Sequence, residues 1–337
     1  MRLKSSTLVL SGAACAALLG SVWLGQQWLF GTAPLAAGGA GSCGAVPVAG
    51  QVPPRAGMVW VQAGRFTMGT ANGYPEEGPP VERSVEGFWM DQTEATNAQF
   101  AAFVEATGYV TLAERGIGDL LNPNSPARKG SAVFIAPPED AGINPFTSWW
   151  HFVDGANWRH PQGPESNIEG LEAHPVVHIA YEDAEAYAEW LGHTLPSEAQ
   201  FEFAAAGNGR KNRDVEHIAN TWQGFFPFQH EAVDGYSGTA PVACYSANAH
   251  GLHDLIGNVW EWTASPYYQG HATGEEASYP QGHDPNQPDE AAVAVIKGGS
   301  FLCAPNYCMR YRPEARQGQS RGLGTSHIGF RTVFVEN

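Results

Sequence analysis

Basic residues are scarce. The 337-residue chain sets 18 Lys and Arg against 34 Asp and Glu, a formal charge of −16, and no Lys/Arg cluster breaks the acidic background. Wrapping a phosphate backbone needs the opposite sign, so nucleic acid is excluded as a partner. Cysteine is rarer still, at five. No pair stands at the two-residue spacing of thioredoxin-like motifs, and the histidines, His151, His178 and His253 among them, show no metal-ligand spacing. Internal repeats are absent too, which excludes solenoid and propeller arrays. What the chain has in quantity is Gly (40), Pro (24) and Trp (11). That composition predicts long irregular segments anchored by aromatic rings rather than a helix bundle.

Arg2 and Lys4 precede an apolar run at residues 7–24. A positive segment before an apolar one is the physical pattern of export, so residues 1–37 are expected to be a signal peptide or an N-terminal membrane anchor. The protein is then exported, to a periplasm or a secretory-pathway lumen. Small residues at 35–42 predict a flexible linker over 38–54, and the folded domain is expected over 55–337. Cys15 falls in the apolar run and Cys43 in the linker, leaving Cys244, Cys303 and Cys308 in the domain. An odd count leaves one thiol over, and Cys244 is expected to be that free thiol.

Three helices have clear punctuation. Capping boxes at Thr96/Gln99 and Ser197/Gln200 open two of them, stopped by Gly108 and Gly207. Ala184, Tyr187, Ala188 and Leu191 share one face of a third that ends at Gly192. The run MVWVQAGRFTMG alternates like paired strands, VERSVEGFWMD reads as extended, and VAVIKGGSF, YCMRYRPEA and GFRTVFV look extended near the C-terminus. Short strands, a few interspersed helices and long loops, such as the one over 208–241, predict an α+β domain.

Cys303 and Cys308 flank Pro305 and Asn306, turn formers that let the chain fold back and bring both sulfurs into one pocket. The spacing is equally compatible with a structural disulfide and with a soft-metal site. Two thiolates lack the four ligands of tetrahedral zinc but suit Cu(I). Arg310 and Arg312 either lower the thiol pKa or pair with acidic neighbours such as Glu314.

The segment KGGSFLCAPNYCMRYR, together with GFR at 329–331, resembles the active-site region of formylglycine-generating enzymes, the activators of sulfatases. GANWRHPQGP (155–164), HPVVHIAYEDAEAYAEW (174–190), LPSEAQFEFAAAG (195–207), ANTWQGFFP (219–227) and GLHDLIGNVWEWT (251–263) follow in that family's order. The resemblance implies a single C-type-lectin-like α+β domain with long loops pinned by ions. It implies that Cys303 and Cys308 bind Cu(I) linearly, with Ser300 as the active-site serine and Trp260 lining the pocket. The implied reaction uses dioxygen to convert the cysteine of Cys-x-Pro-x-Arg, in an unfolded sulfatase polypeptide, into formylglycine.

Asn220, Asp234, Asp254 and Glu261 are, as residues alone, explained as turn caps and an arginine partner. The resemblance instead implies two structural calcium ions. Asn220, Asp234 and the carbonyls of Thr221 and Tyr236 would hold one. Asp254, Glu261 and the carbonyls of Gly257 and Val259 would hold the other, with Asp254 standing where relatives often have Asn. Ala188, Ala205, Pro313 and Thr332 occupy positions where some relatives carry disulfides, so few are expected. His327 replaces a common Asn and is expected to serve as a hydrogen-bonding group. The rival readings are a non-catalytic lectin-like binding module with a plain Cys303–Cys308 disulfide, and a related enzyme such as a thiol–histidine sulfoxide synthase or a periplasmic maturation oxidoreductase. The last pair calls for a histidine triad or cofactor contacts that the sequence lacks.

Overall fold

The three expected helices form where their caps place them. Helix α1 (Asn97–Thr107) opens on a reciprocal box: the Gln99 N–H donates to Thr96 Oγ1 (3.2 Å) and the Thr96 N–H to Gln99 Oε1 (2.8 Å). A short α2 (Leu112–Arg115), unforeseen from the sequence, repeats the device with Thr111 and Glu114. Helix α3 (Tyr181–Leu191) ends at Gly192, and α4 (Glu198–Ala206) follows the Ser197/Gln200 box. Each box satisfies amide donors that a first helical turn leaves unpaired. The computed structural model describes Cys43 and residues 55–118, 126–138, 149–207, 219–271 and 292–336. The apolar run at 7–24, most of the linker, and 208–218 of the expected loop lie outside them. The chain parts into two units, Met1–Ala36 and Ala37–Asn337, and every described helix and strand belongs to the second.

The strands depart from expectation in two places. Strands β1 (Met58–Val61) and β2 (Gly64–Met68) do not form a hairpin. Instead β1 pairs antiparallel with β4 (Phe88–Asp91), and β2 with β3 (Val81–Val85). The intervening Gln62 and Ala63 lack the Asn-Gly or Asp-Gly chemistry of a two-residue hairpin turn. Val61 is fully buried with Phe88 and Met90, and that packing sets the partner. The second departure is YCMRYRPEA, which is turn and loop. The strand there is β9 (Arg316–Ser320), beginning beyond Pro313.

Antiparallel β5 (Gly130–Phe134) and β6 (Trp150–Asp154) stand as a pair. Strand β7 (Trp260–Pro266) and β8 (Val293–Lys297) form the centre of a four-stranded sheet ordered β10-β7-β8-β9, in which β10 (Ile328–Gly329) runs parallel to β7. Strand β11 (Val333–Phe334) joins β4. Between this sheet and helices α1 and α3 lies the main core, where Phe100, Phe103, Trp158, Tyr187, Trp260, Trp262 and Phe330 interlock. Cys303 and Cys308 belong to the same buried cluster. The expected α+β domain is the fold observed. Among the described residues no helix is long and apolar enough to cross a membrane.

Candidate active site and ion-binding loops

The thiol site grows out of the end of β8. Gly298 and Gly299 take positive φ (93° and 76°), and a Cβ on Gly299 would meet the Arg310 carbonyl at 2.7 Å. Glycine is therefore required where the outgoing and returning legs of the thiol loop touch. Beyond the turn, the Cys303 N–H donates to the Ser300 carbonyl (2.9 Å) and the Cys308 N–H to the Ala304 carbonyl (3.0 Å). This second bond folds the chain back, as the turn formers predicted. It leaves Cys303 Sγ and Cys308 Sγ 2.8 Å apart, as two free thiols rather than a disulfide.

Both cysteines are buried, at 1% and 7% exposure. A hydrogen bond from Cys303 is the main influence that lowers Cys308 to about 7; burial opposes it, while the backbone N–H and guanidinium of Arg310 assist. Cys303 moves the other way, raised by burial and by its negative neighbour. Of the two, Cys308 is the thiol that ionises first, and the other sulfur is the one that keeps its proton. Ultraviolet thiolate absorbance of the reduced protein is expected to rise as pH increases through about 7. A Cys308→Ser protein should lose this step, and a step that survived would place the thiolate elsewhere.

Ser300 is fully buried, and its Oγ accepts the Leu302 N–H at 3.3 Å. Trp260 is 2% exposed and donates its backbone N–H to the His327 carbonyl. His327 Nδ1 lies 2.5 Å from Thr325 Oγ1, and its ring packs on Trp150 at 4.6 Å. Burial pushes this imidazole down to about 3, so it is a neutral hydrogen-bonding group, the role expected for it. Spacing did not disclose an aromatic wall beside the thiols. Half-exposed Tyr307 stacks on Phe226 (4.3 Å, 13°), and Trp149 meets both rings edge-on. The Trp149–Trp150 doublet was the signal available for it.

The first of the two loops expected to hold an ion carries an orphan. Asn220 is 1% exposed, its Nδ2 donates to Gly238 O (2.8 Å), and its Oδ1 has no partner. Asp234, on the same loop, accepts from the Tyr236 N–H and the Tyr245 hydroxyl. A buried acceptor without a donor fits a hard cation. In the second loop Asp254 takes φ 56°, which Asp tolerates better than most residues, and Gly257 takes φ 79°. A Cβ on Gly257 would lie 2.3 Å from the Asn220 carbonyl, so the two loops touch there. Asp254 accepts the Ala243 N–H (2.7 Å), Val259 is fully buried, and Glu261 pairs bidentately with Arg331 (2.7 and 2.8 Å).

Glu94, far upstream, joins them. It is fully buried, with Oε2 unpartnered and 4.0 Å from Arg331 Nη2. Burial first, and then repulsion from Asp254 and Glu261, raises its pKa well above the ordinary carboxylate range. Three buried carboxylates against one guanidinium hold on to protons that a divalent cation could displace. A third acidic group, Glu198, Glu202 and His271, also comes together. There Lys297 (2.8 Å from Glu202) and Arg316 (2.6 Å from Glu198) already balance the carboxylates, so it is an ion-pair network.

Residues 45–335 match the family described as the sulfatase-modifying factor enzyme 1-like domain. The chain belongs to the formylglycine-generating enzyme family. It is 43% identical to the formylglycine-generating enzyme of Mycobacterium tuberculosis over 289 residues, 82% of this chain and 97% of that protein. To the Mus musculus formylglycine-generating enzyme it is 40% identical over 295 residues, 81% of this chain and 74% of that one. The structure of PvdO from Pseudomonas aeruginosa superposes with a TM-score of 0.56 at 23% identity, over 87% of this chain and 99% of PvdO, a likeness of fold alone.

Within the formylglycine-generating enzyme family frame, one expectation fails outright. Cys244 is not free: it is bonded to Cys43, 201 residues away, so the linker is stapled to the domain. Pairing across such a distance leaves no local trace in a sequence. Asn258 was also missed. It is 1% exposed with φ 53°, and it joins the two candidate ion loops to the thiol loop. Its Oδ1 accepts from Asn220 Nδ2 (3.1 Å) and the Ala240 N–H (2.9 Å), and its Nδ2 donates to Glu94 Oε1 (3.1 Å). Its carbonyl accepts the Phe301 N–H (2.9 Å), two residues before Cys303. Asn258→Ala is expected to destabilise the protein by roughly 3 kcal/mol, since each buried group left unpaired costs about 1–3 kcal/mol. A chemical denaturation midpoint equal to wild type would remove that role.

Proposed function

We propose that this chain is a copper-dependent, dioxygen-using oxidase that converts the cysteine of Cys-x-Pro-x-Arg segments in unfolded sulfatases into formylglycine. The observation that carries the reading is the pair of buried, unbonded thiols, 2.8 Å apart. Two soft sulfur donors without histidine or carboxylate partners suit Cu(I). Bound there, the metal would supply dioxygen activation and a seat for the substrate thiolate. Oxidation would remove two hydrogens from the cysteine side chain, dioxygen leaving as hydrogen peroxide, and water would then hydrolyse the thioaldehyde to the aldehyde with release of hydrogen sulfide.

The chain's own residues do the rest. Cys308 offers a thiolate near neutral pH without a separate base, and only the Cys303 proton has to leave when a cation binds. Trp260 belongs to the same buried apolar cluster as the two cysteines, a cluster that keeps water from the core side. Ser300 presents a hydroxyl at the base of the thiol loop for orienting oxygen or substrate. Half-exposed Tyr307, backed by buried Phe226 and flanked by Trp149, offers an apolar face to an extended peptide. In this reading calcium in the two loops keeps the thiol loop in register, because the Trp222 N–H donates to the Cys303 carbonyl (3.0 Å) two residues after Asn220. Export, with or without a retained N-terminal membrane anchor, would put the enzyme where unfolded secretory chains emerge.

The test incubates copper-loaded protein with a Cys-x-Pro-x-Arg peptide in air and looks for an aldehyde by mass and by capture with an aminooxy probe. Absence of aldehyde after full Cu(I) loading overturns the proposal.

A further inference from the structure

We propose that the Cys43–Cys244 disulfide sets the cation affinity of both candidate ion loops, through a three-residue strap that holds a carboxylate of each. The inference rests on the calcium reading above and is independent of the copper one. The strap runs over 243–245, with the bonded cysteine at its centre. On one side of Cys244 the Ala243 N–H donates to Asp254 Oδ2 (2.7 Å). On the other the Tyr245 hydroxyl donates to Asp234 Oδ2 (2.6 Å). The Tyr236 hydroxyl reaches Cys244 Sγ itself at 3.7 Å, and the carbonyl of that tyrosine is among the ligands expected for the first ion. Hydrogen bonds of this kind aim a ligating carboxylate, and losing one costs roughly 10–100-fold in metal affinity. Ala243 and Tyr245 act on an ion only through Asp254 and Asp234, so they are positioning residues.

The strap needs holding. Ala243 is buried at φ 59°, in the left-handed region, which alanine keeps only where its surroundings impose it. Hydrogen bonds pin the two ends: the Val242 N–H donates to the Ala173 carbonyl (2.9 Å), and His253 Nδ1 lies 2.7 Å from the Tyr245 carbonyl. The disulfide adds a covalent hold in the middle, where Cys244 is buried and Cys43 is exposed. An exposed partner leaves the bond open to thiol exchange. A dithiol reductant attacks the Cys43 sulfur, forms a mixed disulfide and expels the Cys244 thiolate, which takes up a proton. The second thiol of the reductant then closes on the first and releases Cys43. Two electrons and two protons pass from the dithiol to the cysteine pair, and the strap is left on its hydrogen bonds alone. Ion affinity in both loops thereby follows the thiol–disulfide balance around the protein.

The test titrates calcium by calorimetry into chelator-stripped, full-length protein, well below its melting temperature and in a Cys15→Ser background. Oxidised wild type is compared with the same protein held reduced by dithiothreitol, with Cys43→Ser and with Tyr245→Phe. Reduction and Cys43→Ser are each expected to weaken both calcium sites about tenfold, whereas Tyr245→Phe should weaken one site and spare the other. Unchanged affinity at both sites once the disulfide is open, even beside a lower melting temperature, makes it a plain staple and overturns the proposal. Weakening of a single site by Cys43→Ser overturns the shared strap, as does a Tyr245→Phe protein that binds like wild type. If Cys43→Ser does not fold, the reduced wild type decides by the same two readings. Oxidised wild type that takes up no calcium at all sinks the ion reading of the loops, and this inference with it, a result distinct from the others.

Discussion

Cys303→Ser is expected to abolish aldehyde formation while leaving a folded protein. The substitution keeps nearly the same volume at a position 1% exposed, so the packing cost is small. Chemically it removes the soft ligand. A hydroxyl is a hard donor and a poor partner for Cu(I). The serine hydroxyl can still donate to Cys308, so the thiolate that Cys303 supports is kept while the second sulfur is lost. The loss of activity therefore reports the missing sulfur. Peptide-aldehyde assays on Cys303→Ser and Cys308→Ser, each beside a thermal melt, check this. Either variant retaining more than about a hundredth of wild-type turnover, a barrier change under about 2.7 kcal/mol, is too active for a two-sulfur site.

Stripping divalent cations is expected to lower the melting temperature by roughly 10 °C or more. An ion present at about a thousandfold over its Kd contributes about 4 kcal/mol per site, and each kcal/mol moves the midpoint of a domain this size by roughly 2–4 °C. The pH dependence separates the two states. Glu94, Asp254 and Glu261 have raised pKa values in the fold, chiefly through burial. The native metal-free protein therefore holds protons that the unfolded chain releases, and its stability falls as pH rises above the ordinary carboxylate range. With cation bound the order reverses, because acid protonates the ligands and expels the ion. Chelated protein should melt higher at mildly acidic than at neutral pH, and calcium-loaded protein lower. Identical melting profiles with and without chelator would leave both loops as plain hydrogen-bonded turns.

The contrast between Asp254 and Glu94 shows how far the sequence reaches. Asp254, Gly257 and Glu261 lie within eight positions, so a motif displays them together, and the left-handed backbone at 254 and 257 explains why Asp and Gly stand there. Glu94 lies 164 positions before Asn258, its hydrogen-bond partner, and nothing near it marks it as part of an ion site. The arginines divide the same way. KGGSFLCAPNYCMRYR placed Arg310 and Arg312 beside the thiols, yet their partners turned out to be Glu76 and Glu77, on a turn more than 230 positions away, rather than Glu314.

For the thiol pair with which the chemistry begins, the sequence by itself determined the loop. Turn formers between the cysteines, glycines ahead of them and capping residues on the helices act through hydrogen bonds that span a few positions, and such bonds can be read along a chain. The same holds for the α+β class and for the family. Only the tertiary structure decided which side chains meet: Cys43 with Cys244, Glu94 with Arg331, Tyr307 with Phe226, and β1 with β4 instead of β2. Those contacts are selected by burial and charge balance over the whole domain, where the partner is whatever the packing brings near, so spacing carries no record of them.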